Sequence, residues 1–260
     1  MQVFDWFVPS KTTWLHRVNP ALKFMSLFAL MLVLFFNRQL YFIIIVACLY
    51  AGLLFISSGY SVRKLLLLSL PFVISFISSA TTMILFGKGE AVLWQWGIVK
   101  ISEESILSGL ILGTKSFAIG MVSLVLLLTT RPIALFYALM QQARFPAKYA
   151  YSFMAAVRLV PSMIEELQTR SHALKVRGVA FAGGLKGVFM RLKLYSVPLF
   201  AQSIRKAQRI AIAMEAKQFR MGRQRTYYYI TSYSRTDIYF LLFMAVHVSI
   251  VLLYRLSFVG

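Results

Sequence analysis

Two stretches of this sequence place a cation after an apolar run, where a helix is predicted to end. The first is HALKVRG at 172–178, and the second is IAIAMEAKQFRMGRQRT at 210–226. A cation in the last turn of a helix interacts favourably with the helix dipole, by about 0.3–1 kcal/mol. That effect does not require the small residues that accompany both cations. Small residues let another surface come close, so each helix end is predicted to dock its cation into an acidic groove of a partner.

Residues that would support catalysis or metal binding are missing or scattered. The sequence has no Gly-rich phosphate-binding loop of the G-x-x-x-x-G-K-[ST] kind. Its three histidines, His16, His172 and His247, lack cysteine or carboxylate neighbours at the spacing of metal ligands. We therefore predict no catalytic residue, no metal site and no cofactor.

The composition predicts an integral membrane protein. Hydrophobic residues make up 59% of the 260 positions and charged residues only 14%, which is too apolar for a single soluble core. The formal net charge is +20. Beside apolar spans, basic residues mark cytoplasmic loops and anionic lipid more often than nucleic acid. We expect contact with the lipid bilayer and no nucleic-acid binding.

Five windows predict transmembrane helices, because a span needs about 20 mostly apolar residues. Lys23 lies near one end of the first window, where it is expected to snorkel to the membrane surface. Lys115 lies inside the fourth, where it snorkels, faces a polar groove or marks the start of a shorter span. The windows are 21–37, 40–62, 65–87, 105–130 and 238–254.

The segment 131–235 differs from the rest of the chain. It contains 18 of the 28 Lys and Arg residues and three acidic residues, and its charge-free gaps are too short to cross a membrane. The positive-inside bias places such a segment in the cytoplasm. We predict a membrane region at 1–130 with four spans, a basic cytoplasmic region at 131–235 and a transmembrane helix at 236–260. The amino terminus then lies inside the cell and the carboxyl terminus outside.

Two long amphipathic helices are predicted within the basic region. The first starts near Pro146, has a kink or break at Pro161, and is capped at its carboxyl end by Gly178. GGLKG at 183–187 is predicted to be a turn or linker, and the second helix to be interrupted near Pro198. The fold class is thus an all-α membrane protein with about five transmembrane helices and a cytoplasmic domain of long amphipathic helices between the fourth and fifth.

The second helix has an apolar face. Its apolar residues recur at helical spacing, with Arg205, Lys206 and Arg209 between them. Such a helix lies on a membrane or packs on a partner. The apolar positions are Ile204, Ala207, Ile210, Ala211 and Met214.

Two parts of the sequence resemble one family, the transmembrane (T) components of energy-coupling factor transporters, which are ABC-type importers of vitamins and metals. WLHRVNPALKF at 14–24 resembles the family's opening Leu-His-x-Leu-Asp-Pro-x-x-Lys. The block from EELQTRSHALKVRG to AMEAKQFRMG resembles its coupling region, where two Ala-Arg-Gly-like motifs close two long helices. The likeness runs from residue 14 to the last span. Asn19 stands in place of the motif's aspartate.

The resemblance implies docking residues for ATPase subunits at both helix ends. Arg177 matches the arginine of the first motif, whereas Lys217 takes the arginine's place and Gln218 the glycine's in the second. Lysine is a point charge and cannot make the bidentate contact of arginine. Either Lys217 docks more loosely or Arg220, one turn away, contributes. The other implied docking residues are Ala173, Val176, Gly178 and Ala216.

The resemblance also implies partners and a location. The T component is not an enzyme: it joins two cytoplasmic ABC ATPases to a substrate-binding membrane subunit, the S component, in the plasma membrane of a prokaryote. The apolar face at Ile204, Ala207, Ile210, Ala211 and Met214 is the implied contact with the S component. That subunit sets specificity, for a vitamin or related micronutrient. TTWLHRVNPALKF at 12–24 also resembles thiamin-precursor importers, which implies thiamin or its precursor as cargo, with a metal ion as the alternative.

Two other classes of function remain open from the residues alone. A conventional ABC permease or a secondary transporter would bind substrate within its own helices, but the spans offer Ser, Thr, Lys115, His247 and little else. A membrane enzyme would need an acid and a base that converge. The glutamate pairs at 103–104 and 165–166 are adjacent in sequence instead, which solvated helix ends explain.

Overall fold

The computed structural model of the protein is mostly helical. It describes residues 9, 11–87, 89, 91–96, 99–179, 183–219 and 226–259. The description covers side chains in these ranges except those of residues 92, 95, 96, 99, 100, 247, 248 and 250–259. Arg220 and the side chain of His247, both considered above, therefore lie outside the described part.

The helices and strands follow one another as α1 (Trp14–Arg17), α2 (Pro20–Phe36), α3 (Leu40–Ser57), α4 (Val62–Phe86), β1 (Val92–Trp96), β2 (Val99–Ser102), α5 (Glu103–Thr129), α6 (Pro132–Gln142), α7 (Ala147–Val176), α8 (Gly184–Ala216) and α9 (Arg235–Val259). Among the described residues, α3, α4 and α5 are long and apolar enough to cross a membrane, and α2 is a shorter apolar helix. The chain is thus a multi-pass membrane protein. The total of five spans stays a prediction, with α9 at the position of the fifth.

A short hairpin departs from the all-α prediction. Strands β1 and β2 pair antiparallel, with Trp94 opposite Ile101. The hairpin lies between the windows at 65–87 and 105–130, where the sequence predicts a loop. Its Val, Ile and Trp residues favour extended structure, because β-branched and aromatic side chains pack well on a pleated surface.

The two long helices are more continuous than predicted. Helix α7 passes through Pro161 and α8 passes through Pro198 without a break. A proline removes one intrahelical hydrogen bond and bends the helix, but a long helix keeps its remaining bonds on both sides. The linker predicted at 183–187 is also wrong, since α8 begins at Gly184. Predictions for the start of α7, directly after Pro146, and for the cap at Gly178 are confirmed.

The chain forms two compact units, Met1–Ala138 with Thr231–Gly260, and Leu139–Ile230. In the first, a core of buried apolar side chains joins α2, α3, α5 and α9. Helices α4 and α5 approach closely through glycines, as is common in membranes: a Cβ at Gly113 would lie 2.9 Å from Cβ of Ala80. The core includes Leu27, Ile43, Tyr50, Val125 and Phe240.

Lys23 does not snorkel. Its side chain is fully buried, and its ammonium donates to the carbonyl of Leu15 at 2.5 Å and to Oγ1 of Thr129 at 3.2 Å. The carboxylate of Asp237 is near enough to interact electrostatically with this ammonium. Burial, with the positive charge of Lys23, lowers the pKa of His16, so His16 adds no second cation here at neutral pH. Oxygen atoms of α1 and α5 accept hydrogen bonds from the Lys23 ammonium inside the protein. The side chain therefore does not extend to the membrane surface.

Asp237 ties the start of α9 to the start of α2. One carboxylate oxygen accepts the N–H of Asn19 and the other the N–H of Ser234, each at 2.7 Å. The side chain of Asn19 caps α2 by accepting the N–H of Ala21 at 3.0 Å. Asn19 thus keeps the capping role that an aspartate would have, while the buried carboxylate here comes from Asp237.

We predict that Asp237→Asn destabilises this unit. The amide keeps the shape of the carboxylate but can accept only through one oxygen, so one of the two N–H groups loses its partner and Lys23 loses its counter-charge. Hydrogen bonds to charged groups contribute about 1.5–3 kcal/mol each. Thermal unfolding in detergent, followed by tryptophan fluorescence, should show a Tm lower by several degrees than in the exposed control Glu104→Gln. Equal Tm values for the two variants would contradict the assigned role of Asp237.

Candidate docking site

Both predicted docking ends belong to α7 and α8, which pair antiparallel in the second unit. Near one end of the pair, the hydroxyl of Tyr195 donates to Oγ of Ser171 at 3.4 Å. At the other end, the rings of Tyr151 and Phe219 meet edge to face with centroids 5.4 Å apart. The contact with the higher residue number on the α8 side has the lower residue number on α7, so the two helices run in opposite directions. The carboxyl ends of the two helices therefore lie at opposite ends of the pair.

This geometry separates the two predicted docking ends. Phe219 follows the end of α8 and lies beside Tyr151 in the first turns of α7, whereas Arg177 caps the far end of α7. The 26 residues from Tyr151 to Arg177 correspond to about 39 Å at 1.5 Å per residue. A partner that binds one end is therefore too far away to hold the other with the same groove.

An ion pair joins the helices between these ends. The ammonium of Lys206 on α8 binds the carboxylate of Glu166 on α7, and it donates to Oγ of Ser162 at 2.5 Å. The side chains of Lys206 and Glu166 are only 26% and 24% exposed. Arg177 follows Glu166 by eleven residues and Lys217 follows Lys206 by eleven, about 16 Å of helix in each case. The pair thus lies midway between the two docking ends.

The end of α7 is a Schellman motif. The N–H of Val179 donates to the carbonyl of Leu174 at 3.2 Å, and the N–H of Gly178 to that of Lys175 at 3.0 Å. Gly178 has φ of +67°, which glycine adopts without steric cost. Arg177 is the last residue before this turn and is exposed.

The end of α8 has the same hydrogen bonds. The N–H of Phe219 donates to the carbonyl of Met214 at 3.0 Å, and the N–H of Gln218 to that of Glu215 at 2.9 Å. Gln218 has φ of +56°, a conformation that an L side chain rarely adopts. Lys217 occupies the position that Arg177 has on α7. The irregular second motif therefore folds as the regular first one does.

The described docking residues are open to a partner. Val176 is 88% exposed, and a Cβ on Gly178 would have no atom within 4 Å. The other exposed members are Ala173, Arg177, Ala216, Lys217 and Gln218. Their role in docking, and that of Arg220, stays a prediction.

The five apolar positions predicted to contact an S component differ in their exposure to solvent. Ile204 is 59% exposed, and Ala207 and Ala211 are exposed as well, whereas Ile210 and Met214 are half-buried. The outer face is therefore 204, 207 and 211, spaced three and four residues apart. The assignment of this face to an S component stays a prediction.

Sequence reasoning missed two features of this unit. The first is the pairing of Lys206 with Glu166, 40 residues apart in sequence, which depends on the antiparallel register of α7 and α8. The second is the exposed apolar first half of α8, where Leu185 is 89% exposed and Phe189 is 70% exposed. A signal for the second was present, because GLKGVFMRLKL mixes cations with large apolar residues at helical spacing.

We predict that Gln218→Gly slows hydrogen exchange at the end of α8. Glycine removes the left-handed strain of Gln218, which is worth about 1 kcal/mol, so the Phe219 amide should exchange about fivefold more slowly. The matched variant Gly178→Gln should speed exchange of the Val179 amide by a similar factor. Hydrogen-exchange mass spectrometry on both variants provides the measurement. Faster or unchanged exchange in Gln218→Gly would show that this turn is not strained.

Comparison with known proteins identifies the chain's relatives. The family model for CbiQ, described as a cobalt transport protein, matches residues 11–228, which is well over half of the chain. Three curated relatives are each an energy-coupling factor transporter transmembrane protein, EcfT. That of Lacticaseibacillus paracasei is 29% identical over 243 residues, which is 89% of this chain and 90% of the relative.

The other two relatives are similarly distant and similarly complete. EcfT of Limosilactobacillus fermentum is 30% identical over 246 residues, 90% of each chain. EcfT of Brevibacillus brevis is 31% identical over 230 residues, 85% of each chain. The extent of these matches agrees with the motifs at 14–24 and at the two helix ends: the chain belongs to the CbiQ family, as an EcfT-type transmembrane component of energy-coupling factor transporters.

Proposed function

We propose that this T component docks one cytoplasmic ATPase subunit at each of its two equivalent helix ends. Arg177 is the docking cation of α7, with Ala173, Val176 and Gly178 around it. Lys217 is the docking cation of α8, flanked by Ala216 and Gln218, and Arg220 lies nearby in sequence. The supporting observation is the pair of exposed Schellman ends with the same hydrogen bonds, each with its cation at the same position.

The distance between the two ends supports two ATPases rather than one. The ends lie at opposite ends of an antiparallel pair, and the eleven residues on each side of the ion pair together correspond to about 33 Å of straight helix. A groove that accepts one helix end cannot reach the other over that distance. Two ATPase subunits, identical or related, would each take one end.

Helices α7 and α8 would transmit the motion of the ATPases. When ATP brings the two subunits together, the docked ends are drawn closer. The ion pair of Glu166 with Lys206 holds the middle of the helices together. We call the segment of each helix from the ion pair to its docking cation an arm. Movement of the docked ends therefore changes the angle or spacing of the two arms. The outer apolar face begins at Ile204, two residues before Lys206 of the ion pair, and continues through Ala207 and Ala211 toward Lys217. An S component resting on this face would be reoriented to release its cargo inside the cell.

The proposed topology follows from the charge distribution. The basic region at 131–235 is placed in the cytoplasm, with the amino terminus inside, the carboxyl terminus outside and α9 as a fifth span. The S component, rather than this chain, would bind the cargo, which we take to be a vitamin or related micronutrient.

A permease that binds substrate among its own helices is less well supported. Lys115 was a candidate for a polar groove inside the membrane. Its ammonium instead donates to the carbonyl of Phe35 at 2.9 Å, one of the last four carbonyls of α2, which have no partner within their own helix. Lys115 therefore has a structural use in closing the end of α2.

We predict that Arg177→Glu and Lys217→Glu each weaken binding of one ATPase. Reversal places like charges in contact, and losing a buried charged partner costs about 2–5 kcal/mol, more than tenfold in affinity. Arg177→Glu should have the larger effect, because arginine can bind a carboxylate bidentately. Co-purification in mild detergent from the native host, with mass spectrometry of the partners, measures the amount of ATPase bound. The double variant should retain none.

The matched control is Arg205→Glu, which reverses an exposed cation next to Lys206 of the ion pair, midway between the two docking ends. It should keep both ATPases, and all variants should keep the wild-type Tm. Wild-type protein that brings down no ATPase would contradict the proposed function. ATPases that stay bound to the double variant would contradict the assignment of these two cations.

A further inference from the structure

The first half of α8 presents a second apolar surface, which adjoins the predicted S-component face because Phe200 and Ile204 lie one turn apart. We call it the apolar arc. On a helix of 3.6 residues per turn its members fall within about 120°, on the side opposite Gly187, which is buried. Gly187 is the residue of this half of α8 that is buried, and the arc lies on the side of the helix away from it. The arc comprises Leu185, Val188, Phe189, Leu192 and Phe200, all of them exposed.

Cations border the apolar arc on both sides. Lys186 and Lys193 lie along one edge and Arg191 along the other, by their positions on the helix, and all three are exposed. Long basic side chains at such edges can keep their charges at a polar surface while their stems cover apolar groups. This is the pattern of a helix that lies in the plane of a membrane, with its apolar side at the boundary between headgroups and acyl chains.

The surrounding sequence has only one sign of charge. Residues 167–214 contain nine Lys or Arg and no Asp or Glu. A surface with this bias attracts an anionic partner, and the cytoplasmic leaflet is anionic and always close to a multi-pass membrane protein. An acidic protein groove could accept the cations of one edge, but a large apolar arc with cations on both edges matches a flat anionic surface better.

We propose that the apolar arc binds the anionic phospholipid surface of the cytoplasmic leaflet, with Leu185, Phe189 and Leu192 in the boundary region and Lys186, Arg191 and Lys193 at the phosphates. The proposal rests on the proposed function only for the side of the membrane on which α8 lies. Lipid would hold the first half of α8, while the half beyond Lys206 moves with the ATPase docked at Lys217. The membrane would thus hold one half of α8 in place while the other half changes its angle.

The test uses the full chain in nanodiscs of phosphatidylglycerol or of phosphatidylcholine, without partner subunits. After Cys48→Ser, a spin label is placed by Phe189→Cys in the arc, by Leu185→Cys as a second arc site, or by Ile212→Cys as an exposed apolar control elsewhere on α8. Collision with oxygen reports lipid, and collision with a water-soluble nickel chelate reports water. In phosphatidylglycerol, both arc labels should be accessible to oxygen and shielded from nickel, and the control label should be accessible to nickel.

Charge removal tests the role of the cations. Lys186→Gln with Lys193→Gln should lower the ratio of immersed to aqueous label about fivefold for each cation, and phosphatidylcholine should lower it for the unchanged chain. Arc labels accessible to nickel in phosphatidylglycerol would overturn the proposal. So would shielding that appears only when S component or ATPases are added, which would make the arc a protein-docking surface. Equal immersion in both lipids would overturn the requirement for anionic phospholipid. ATPase co-purification through Arg177 and Lys217 is independent of these outcomes.

Discussion

The ion pair between Glu166 and Lys206 fixes the register of the two long helices, and the positions that we assign to docking and coupling depend on that register. About three quarters of each side chain is withdrawn from solvent. A slip of one helix along the other would leave one charge, or both, partly buried without a partner, which costs much more than the pair itself contributes. The pair therefore contributes specificity of alignment more than net stability.

That alignment gives the helix pair an approximate two-fold character. Each helix reaches its C-cap cation eleven residues beyond its charged member and ends in the same hydrogen-bonded turn. The two docking cations lie at the same distance from the ion pair and in turns of the same geometry, which fits binding to two similar partners. The left-handed conformation of Gln218 shows how strongly this geometry is held, because a residue other than glycine keeps the turn that Gly178 makes easily.

Much of this arrangement could be predicted from local sequence, because helix ends, apolar windows and charge bias are local or additive signals. The cap at Gly178 and the start after Pro146 are examples. Features that depend on distant partners could not. Lys23 is buried because carbonyls from α1 and α5 surround it, and α8 runs through Pro198 because packing and the rest of its hydrogen bonds outweigh one lost bond. The segment at 183–187 was misread since glycines favour turns, although α8 uses them at its start.

The central claim is that ATP draws the two helix ends together. The most direct test is the distance between spin labels at Lys175 and Glu215, exposed residues two positions before each docking cation. Double electron–electron resonance would be recorded on the complete transporter in nanodiscs, in a Cys48→Ser background, without nucleotide and with ATP under conditions that prevent hydrolysis. Our account predicts that ATP shortens the distance and that ATP hydrolysis and product release restore it. An unchanged distance in a transporter that binds ATP and imports its cargo would contradict the account.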